Sequence, residues 1–286
     1  MVVGYVDPNF PNPMGPHDAR IVIYGYTPSL AVGILGVALF LLASGLHLWL
    51  LLKTKTWYFS TMLVGLVLEI VGYIFRILSS QQDPYSIPWF VVQYFTIVVA
   101  PVFFSAAIYT IVSVLISIYG REHAVLPPNV ILGVFITFDV VATIIQIAGA
   151  ALVGVAYSNE KDPTTPSNIL LAGLSIQVAS FAIFLVVLGW TLIRARQSSA
   201  KVSSVFLTTL ILATLAIFLR TCFRVAEGAE GLMSALSVHE AYFGALEFAP
   251  VVVAVFLLAY GHPGRYLKRP GRQDEKRMEP NAGMTS

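Results

Sequence analysis

The chain reads as an all-α integral membrane protein, a bundle of seven transmembrane helices with its N-terminus outside and its C-terminus in the cytoplasm. Three observations predict this. First, 57% of its 286 residues are hydrophobic and only 11% are charged, whereas soluble domains carry about 25% charged residues. The mean hydropathy is +0.79. Second, seven apolar runs, at about 27–52, 59–80, 88–119, 129–156, 168–194, 203–226 and 238–260, each reach the roughly 20 residues that a membrane helix needs. Third, the Lys and Arg residues outside those runs lie almost entirely on one side. Lys53, Lys55, Arg121, Arg194, Arg196, Lys201, Arg265, Lys268, Arg269, Arg272, Lys276 and Arg277 fall in the alternate loops and the C-terminal tail; only Arg20 and Lys161 lie opposite. Basic loops stay cytoplasmic, which sets the expected orientation.

The elements follow in order. Residues 1–23, with Pro8, Pro11, Pro13 and Pro16, are expected to form an extended outer tail, and no cleavable signal peptide is apparent. Residues 24–262 form one helical domain. Its loops of about six to twelve residues make neighbouring helices antiparallel. The third run is long enough to tilt or kink, and Pro101 stands near its middle. Pro250 similarly interrupts the seventh. Residues 263–286 are polar and basic and read as a disordered cytoplasmic tail that touches anionic lipid. Tyr24, Tyr26, Trp57, Tyr58, Trp89 and Trp190 read as an interfacial belt.

The acids Glu69, Asp139 and Glu247 and the bases Arg76, Arg220 and Arg224 lie inside the apolar runs. Ionisable groups in membrane segments are rare and face a bundle interior or a wet cavity. Counting 1.5 Å per residue from the helix ends places Glu69, Asp139 and Glu247 near mid-depth, with the arginines nearer the outer face. Gln93, Gln146, Gln177, Glu227 and Glu240 point to the same interior. Two readings stand side by side. In one, the arginines pair with acids such as Glu69, Asp139, Glu227 and Glu240 and hold the bundle together. In the other, these residues line a cavity open to the outer leaflet, where arginines hold a headgroup anion and acids hold an amine or a transported proton.

Other chemistries find little support. His47 and His262 share a level, but His17, His123 and His239 lie elsewhere, so the three convergent ligands of catalytic zinc are not expected. His47 reads as an interface or core residue. Neither a Gly-x-Ser-x-Gly elbow nor a Walker A motif occurs. No metal, cofactor, catalytic residue or nucleic-acid partner is expected. The lone Cys222 excludes an intrachain disulfide.

Ordered motifs run through all seven segments: Tyr26-x-Pro28-Ser29 and His47; Glu69-x2-Gly72-Tyr73-x2-Arg76; Gln93 with Ala100-Pro101-x-Phe103-x2-Ala106-x2-Tyr109; Asp139-Val140-x5-Gln146-x2-Gly149; Gly173-Leu174-x2-Gln177; Arg220-x2-Phe223-Arg224-x2-Glu227; and Glu240, Pro250 and His262-Pro263-Gly264. This set resembles the fungal lipid-translocating exporter family, the RTA-like seven-helix proteins named for aminocholesterol resistance. Gly33, Glu247 and Gly244 depart from the Asn, Asp and Tyr expected there. The resemblance implies a plasma-membrane exporter of an amphipathic, lipid-like or toxic compound, such as a sphingoid base or sterol amine, that contributes to resistance. Membrane lipids and that substrate would be its partners. A seven-helix lipid or stress receptor is the alternative, and an intramembrane lipid-modifying enzyme a third.

Overall fold

In lipid, every backbone N–H and C=O must find a partner within the protein, so long apolar runs fold as helices. The computed structural model describes residues 5–10, 15, 18–120, 126–158, 161–196, 202–231 and 234–267. Seven helices among them are long and apolar enough to cross a membrane. They are α1 (Leu30–Thr54), α2 (Thr61–Gln81), α3 (Ile87–Tyr119), α4 (Pro128–Ser158), α5 (Thr164–Ala195), α6 (Ser204–Glu230) and a composite seventh span, Glu240–Tyr266. Local chemistry sets their ends. Proline lies at or beside the start of α3, α4 and α5, where its missing N–H is harmless. Gly120 and Gly231, both at positive φ, close α3 and α6.

Helix α3 is the centre. Its most apolar window is 83% buried, against 33–44% for the other six. The flanks of the others carry exposed Ile, Leu and Val, including Ile34, Leu41, Ile144, Val186 and Leu219, as lipid-facing surfaces do. Glycines bring backbones together on both sides of the bundle. A Cβ at Gly72 of α2 would lie 2.6 Å from Ile97 Cγ1 of α3, and one at Gly173 of α5 would lie 2.9 Å from the Ala142 carbonyl of α4.

Two prolines reshape the helices that meet at the centre. Pro101 has no N–H to give the Ile97 carbonyl one turn earlier, so that oxygen is free for another donor. Pro250 likewise has no N–H to give the turn before it. There the helix widens into a π segment, Phe243–Phe248, in which the Ala249 N–H reaches Gly244.

The proximal end of the bundle is where residues 18–29 lie; the other end is distal. The proximal segment is not a free tail. Val22 N–H donates to Tyr5 O at 2.9 Å and Ala19 N–H to Tyr85 O at 2.9 Å. The Tyr85 hydroxyl donates to Phe10 O at 2.6 Å, and Val22, Tyr24 and Tyr85 form a small buried cluster. The extended outer tail expected over residues 1–23 is therefore replaced, in its described part, by a cap on the α2–α3 loop. At the distal end, Pro263–Tyr266 forms a short helix, with the Tyr266 ring 5.7 Å from that of Phe206. The basic tail beyond residue 267 lies outside the described residues.

Candidate functional site

The site forms in two layers near the proximal end. In the upper layer Arg76, from the last turns of α2, donates to Glu240 Oε1 at 2.6 Å and to the Tyr26 hydroxyl at 2.9 Å. Glu240 also accepts the Ser29 N–H at 2.9 Å, which ties the seventh span to the start of α1. The Phe243 ring lies 4.1 Å from the Arg76 guanidinium, close enough for a cation–π contact. Gly25, at φ 73°, takes a left-handed turn that side chains resist. The turn lets both Tyr24 and Tyr26 face inward. The Tyr24 hydroxyl bonds Gln93 Oε1 and reaches Ser79 Oγ at 3.2 Å. Burial pushes the Tyr24 hydroxyl up to about 12 and raises that of Tyr26 as well.

The lower layer turns on Arg220 of α6. One of its nitrogens, Nη2, donates to Glu247 Oε1 at 2.8 Å and to the Ile97 carbonyl at 2.9 Å. The carbonyl released by Pro101 thus anchors the arginine, and the π segment next to Pro250 carries the carboxylate it meets. Glu69, 2% exposed, shares the electrostatic field of Arg220 and Glu247, yet its Oε1 has no hydrogen-bond partner. One turn along α6, Arg224 donates to Glu227 Oε2 at 2.6 Å and to the Tyr94 hydroxyl at 2.8 Å, and lies 3.5 Å from Glu247 Oε2. Glu227 and Glu240 form the rim; each side chain is 23% exposed. A cavity of about 40 Å³ between Tyr94, Arg224, Glu227, Ser167 and Ser237 is the opening beside this layer, enough for roughly one water molecule.

The lower layer has an uneven charge count. Arg220 and Arg224 face Glu69, Glu227 and Glu247. With all five ionised, the layer is one positive charge short.

A much larger cavity, about 490 Å³, lies toward the distal end between α3, α4 and the turn before α2. Tyr58, Thr110, Ser113, Ser117 and Asn129 give it a polar, uncharged wall.

The sequence signature of the family described as "RTA1 like protein" matches residues 62–270, which takes in α2 through the seventh span and every residue of the lower layer. The chain belongs to the RTA1-like protein family. Among similar proteins of Saccharomyces cerevisiae, the sphingoid long-chain base transporter RSB1 is 28% identical over 279 residues, covering 84% of this chain and 73% of that protein. Protein RTM1 is 28% identical over 214 residues, covering 71% and 66%. Protoporphyrin uptake protein 1 is 24% identical over 290 residues, covering 87% and 94%. No solved structure matches the chain.

Of the residues singled out in the sequence, the RTA1-like fold brings Arg76, Gln93 and Glu240 into the upper layer and Glu69, Arg220, Arg224, Glu227 and Glu247 into the lower one. It keeps three others apart. Gln146 of α4 donates to Gln177 of α5 at 2.9 Å, in a pair of their own. Asp139 accepts the Tyr109 hydroxyl at 2.9 Å, and among the described residues no cation is within reach of it. Tyr109 lies twelve residues beyond Ile97 on α3, about 18 Å along the helix. Asp139 is therefore not level with Glu69. Equal counts from helix ends mislead here because α3 and α4 run to 33 and 31 residues, longer than a bilayer requires.

The arginines and acids close on each other rather than line a wide outward cavity. Three participants were misread or missed. Tyr24 and Tyr26 are not belt residues but second walls of the upper layer, and a glycine between two aromatics was the available signal. The Ile97 carbonyl was findable from Pro101, four residues on. Trp57 and Trp190 do face outward, at 62% and 50% exposure. His47 is a core residue whose Nε2 donates to Val255 O at 3.0 Å. Among the described residues no three His, Cys, Asp or Glu side chains come together as a metal site.

Proposed function

We propose that this protein moves an amphipathic, lipid-like compound with a basic amine head, of the sphingoid-base or sterol-amine kind, across the fungal plasma membrane, and so contributes to resistance. The observation that carries the reading is the buried, unpartnered Oε1 of Glu69 beside two arginines already paired with Glu227 and Glu247. Once Glu69 is ionised, the layer is one positive charge short. A single ammonium group supplies that charge. Long-chain bases carry one such group on an apolar chain, and a relative of this protein is named for transporting them.

In this account the ammonium head enters between Glu69 and Glu247 and competes with Arg220 for their oxygens. Charge-assisted hydrogen bonds to carboxylate are strong enough to support the exchange. Arg220, released from Glu247, retains the Ile97 carbonyl. Glu247 sits on a π segment, a geometry often found where helices rearrange. The Arg76–Glu240 bridge shuts the upper layer, while the 490 Å³ cavity opens toward the expected cytoplasmic side. The structure is then the state in which the outer exit is closed.

Reconstituted vesicles test this. Wild-type protein should transfer a fluorescent sphingoid base between leaflets with time, and folded Glu69→Gln should lose most of that transfer. Saturable binding without transfer would overturn the carrier reading and favour a receptor.

A further inference from the structure

Asp139 stands apart from the two arginine layers, and its surroundings have a character of their own. It is fully buried, at 0% exposure. The Tyr109 hydroxyl satisfies Oδ2, while Oδ1 has no partner. Two further buried oxygens without partners, Thr143 Oγ1 and Ser180 Oγ, belong to residues 7% and 6% exposed.

Helix register puts them together. Thr143 lies one turn from Asp139 on the same face of α4. Across the α4–α5 interface, Gly149 meets Leu170, Gln146 meets Gly173, and Phe135 meets Phe184 at 5.4 Å between rings. That antiparallel progression sets Ser180 opposite Asp139.

Hydroxyls in these helices ordinarily fold back onto a carbonyl one turn earlier. Thr96, Thr110, Ser117, Thr191, Thr214 and Thr221 all do so, at 2.7–3.0 Å. Thr143 and Ser180 do not. Of the four serine and threonine oxygens left buried and unpartnered among the described residues, two are at this one level.

We propose that Asp139, Thr143 and Ser180 hold a monovalent cation, a hydrated proton or sodium, at a site separate from the arginine layers. An ionised carboxylate buried in a membrane needs a compensating charge, and among the described residues no arginine or lysine supplies one here. A bare proton on Oδ1 would lack an acceptor, and one shared with the Tyr109 hydroxyl on Oδ2 would still leave Oδ1, Thr143 Oγ1 and Ser180 Oγ without partners. A bridging cation or its water joins all three oxygens. One carboxylate with neutral oxygens matches a single charge; the divalent ions call for more carboxylates. The titratable group facing Asp139 is Tyr109 of α3; α4 and α5 present Gln146 and Gln177 one to two turns away and no charge among their described residues there.

Thermal unfolding of the full-length protein in detergent tests the site without any transport measurement, so its result is independent of the ammonium reading above. Sodium is titrated against choline at constant ionic strength and fixed pH, and pH is varied in choline alone. The wild-type midpoint should rise by about 5 °C as the cation saturates. A response in the first series assigns sodium; a response in the second alone, between about pH 5 and 8 and absent from Asp139→Asn, assigns the proton. Asp139→Asn should lose the response. Ser180→Ala and Thr143→Ala, which remove only hydroxyls that make no hydrogen bond within the protein, should need about tenfold more cation. A wild-type midpoint flat in both series would overturn the proposal. So would Ser180→Ala and Thr143→Ala responding as the wild type does.

Discussion

Replacing Arg220 by Met keeps most of the side-chain length and removes the guanidinium. Three groups then lose their partner at once. Glu247 loses a 2.8 Å bond, the Ile97 carbonyl loses a 2.9 Å bond, and Glu69 loses the neighbouring positive field. Removing one member of a buried ion pair costs about 3–5 kcal/mol in soluble proteins. Polar contacts between membrane helices are weaker, about 0.6 and at most about 1.7 kcal/mol, because the unfolded helices also find partners in the membrane. The carbonyl is the exception to that discount. Pro101 denies Ile97 O its helical donor, so stranding it adds about 1–3 kcal/mol. The expected total is about 3 kcal/mol. Unfolding in mixed micelles by detergent titration measures it, and a cycle with Glu247→Gln isolates the pair. We expect the two single losses to exceed the double loss by about 1 kcal/mol or more. A loss under about 0.5 kcal/mol for Arg220→Met, the size of an ordinary surface change, would refute the reasoning. So would simple additivity with Glu247→Gln.

Pro101→Ala returns an N–H to the Ile97 carbonyl; α3 should stiffen, with slower amide exchange at residue 101's neighbours, while transfer of a sphingoid base falls because Arg220 loses its anchor. Gly72→Leu drives a side chain into Ile97 and Thr96, where a Cβ alone would lie 2.6 and 2.8 Å away; thermal denaturation should show a loss of about 1–3 kcal/mol. Tyr24 ionises at about 12 when folded and near its ordinary 10 when unfolded, so the unfolded chain holds fewer protons between those values. Stability is then full below pH 10 and declines as pH rises toward 12, which unfolding midpoints across that window will show; Tyr24→Phe should flatten part of the decline.

The seven spans were legible in the sequence because nothing but a helix satisfies a backbone in lipid, and their ends fell within a few residues of Pro, Gly and polar breaks. The six intramembrane charges were legible for the same reason, as interruptions that need partners. Partner choice was not. Arg220 pairs with Glu247 because two prolines, one in α3 and one in the seventh span, reshape the backbone on either side of it, and periodicity carries no record of that. Tyr24 and Tyr26 resembled interfacial aromatics until the turn at Gly25 aimed them at Arg76. Asp139 was misplaced in depth because α3 and α4, at 33 and 31 residues, are longer than a bilayer requires, so residue counts from their ends do not share an origin.

The account rests on Glu69, whose ionised carboxylate would leave the lower layer one positive charge short. The most direct measurement compares binding of a long-chain base with binding of its N-acylated, uncharged counterpart to the purified protein, in wild type and in Glu69→Gln. The account predicts that the amine binds about tenfold or more tightly than the amide in the wild type, and that Glu69→Gln removes the difference. Equal affinity for amine and amide in the wild type would contradict it.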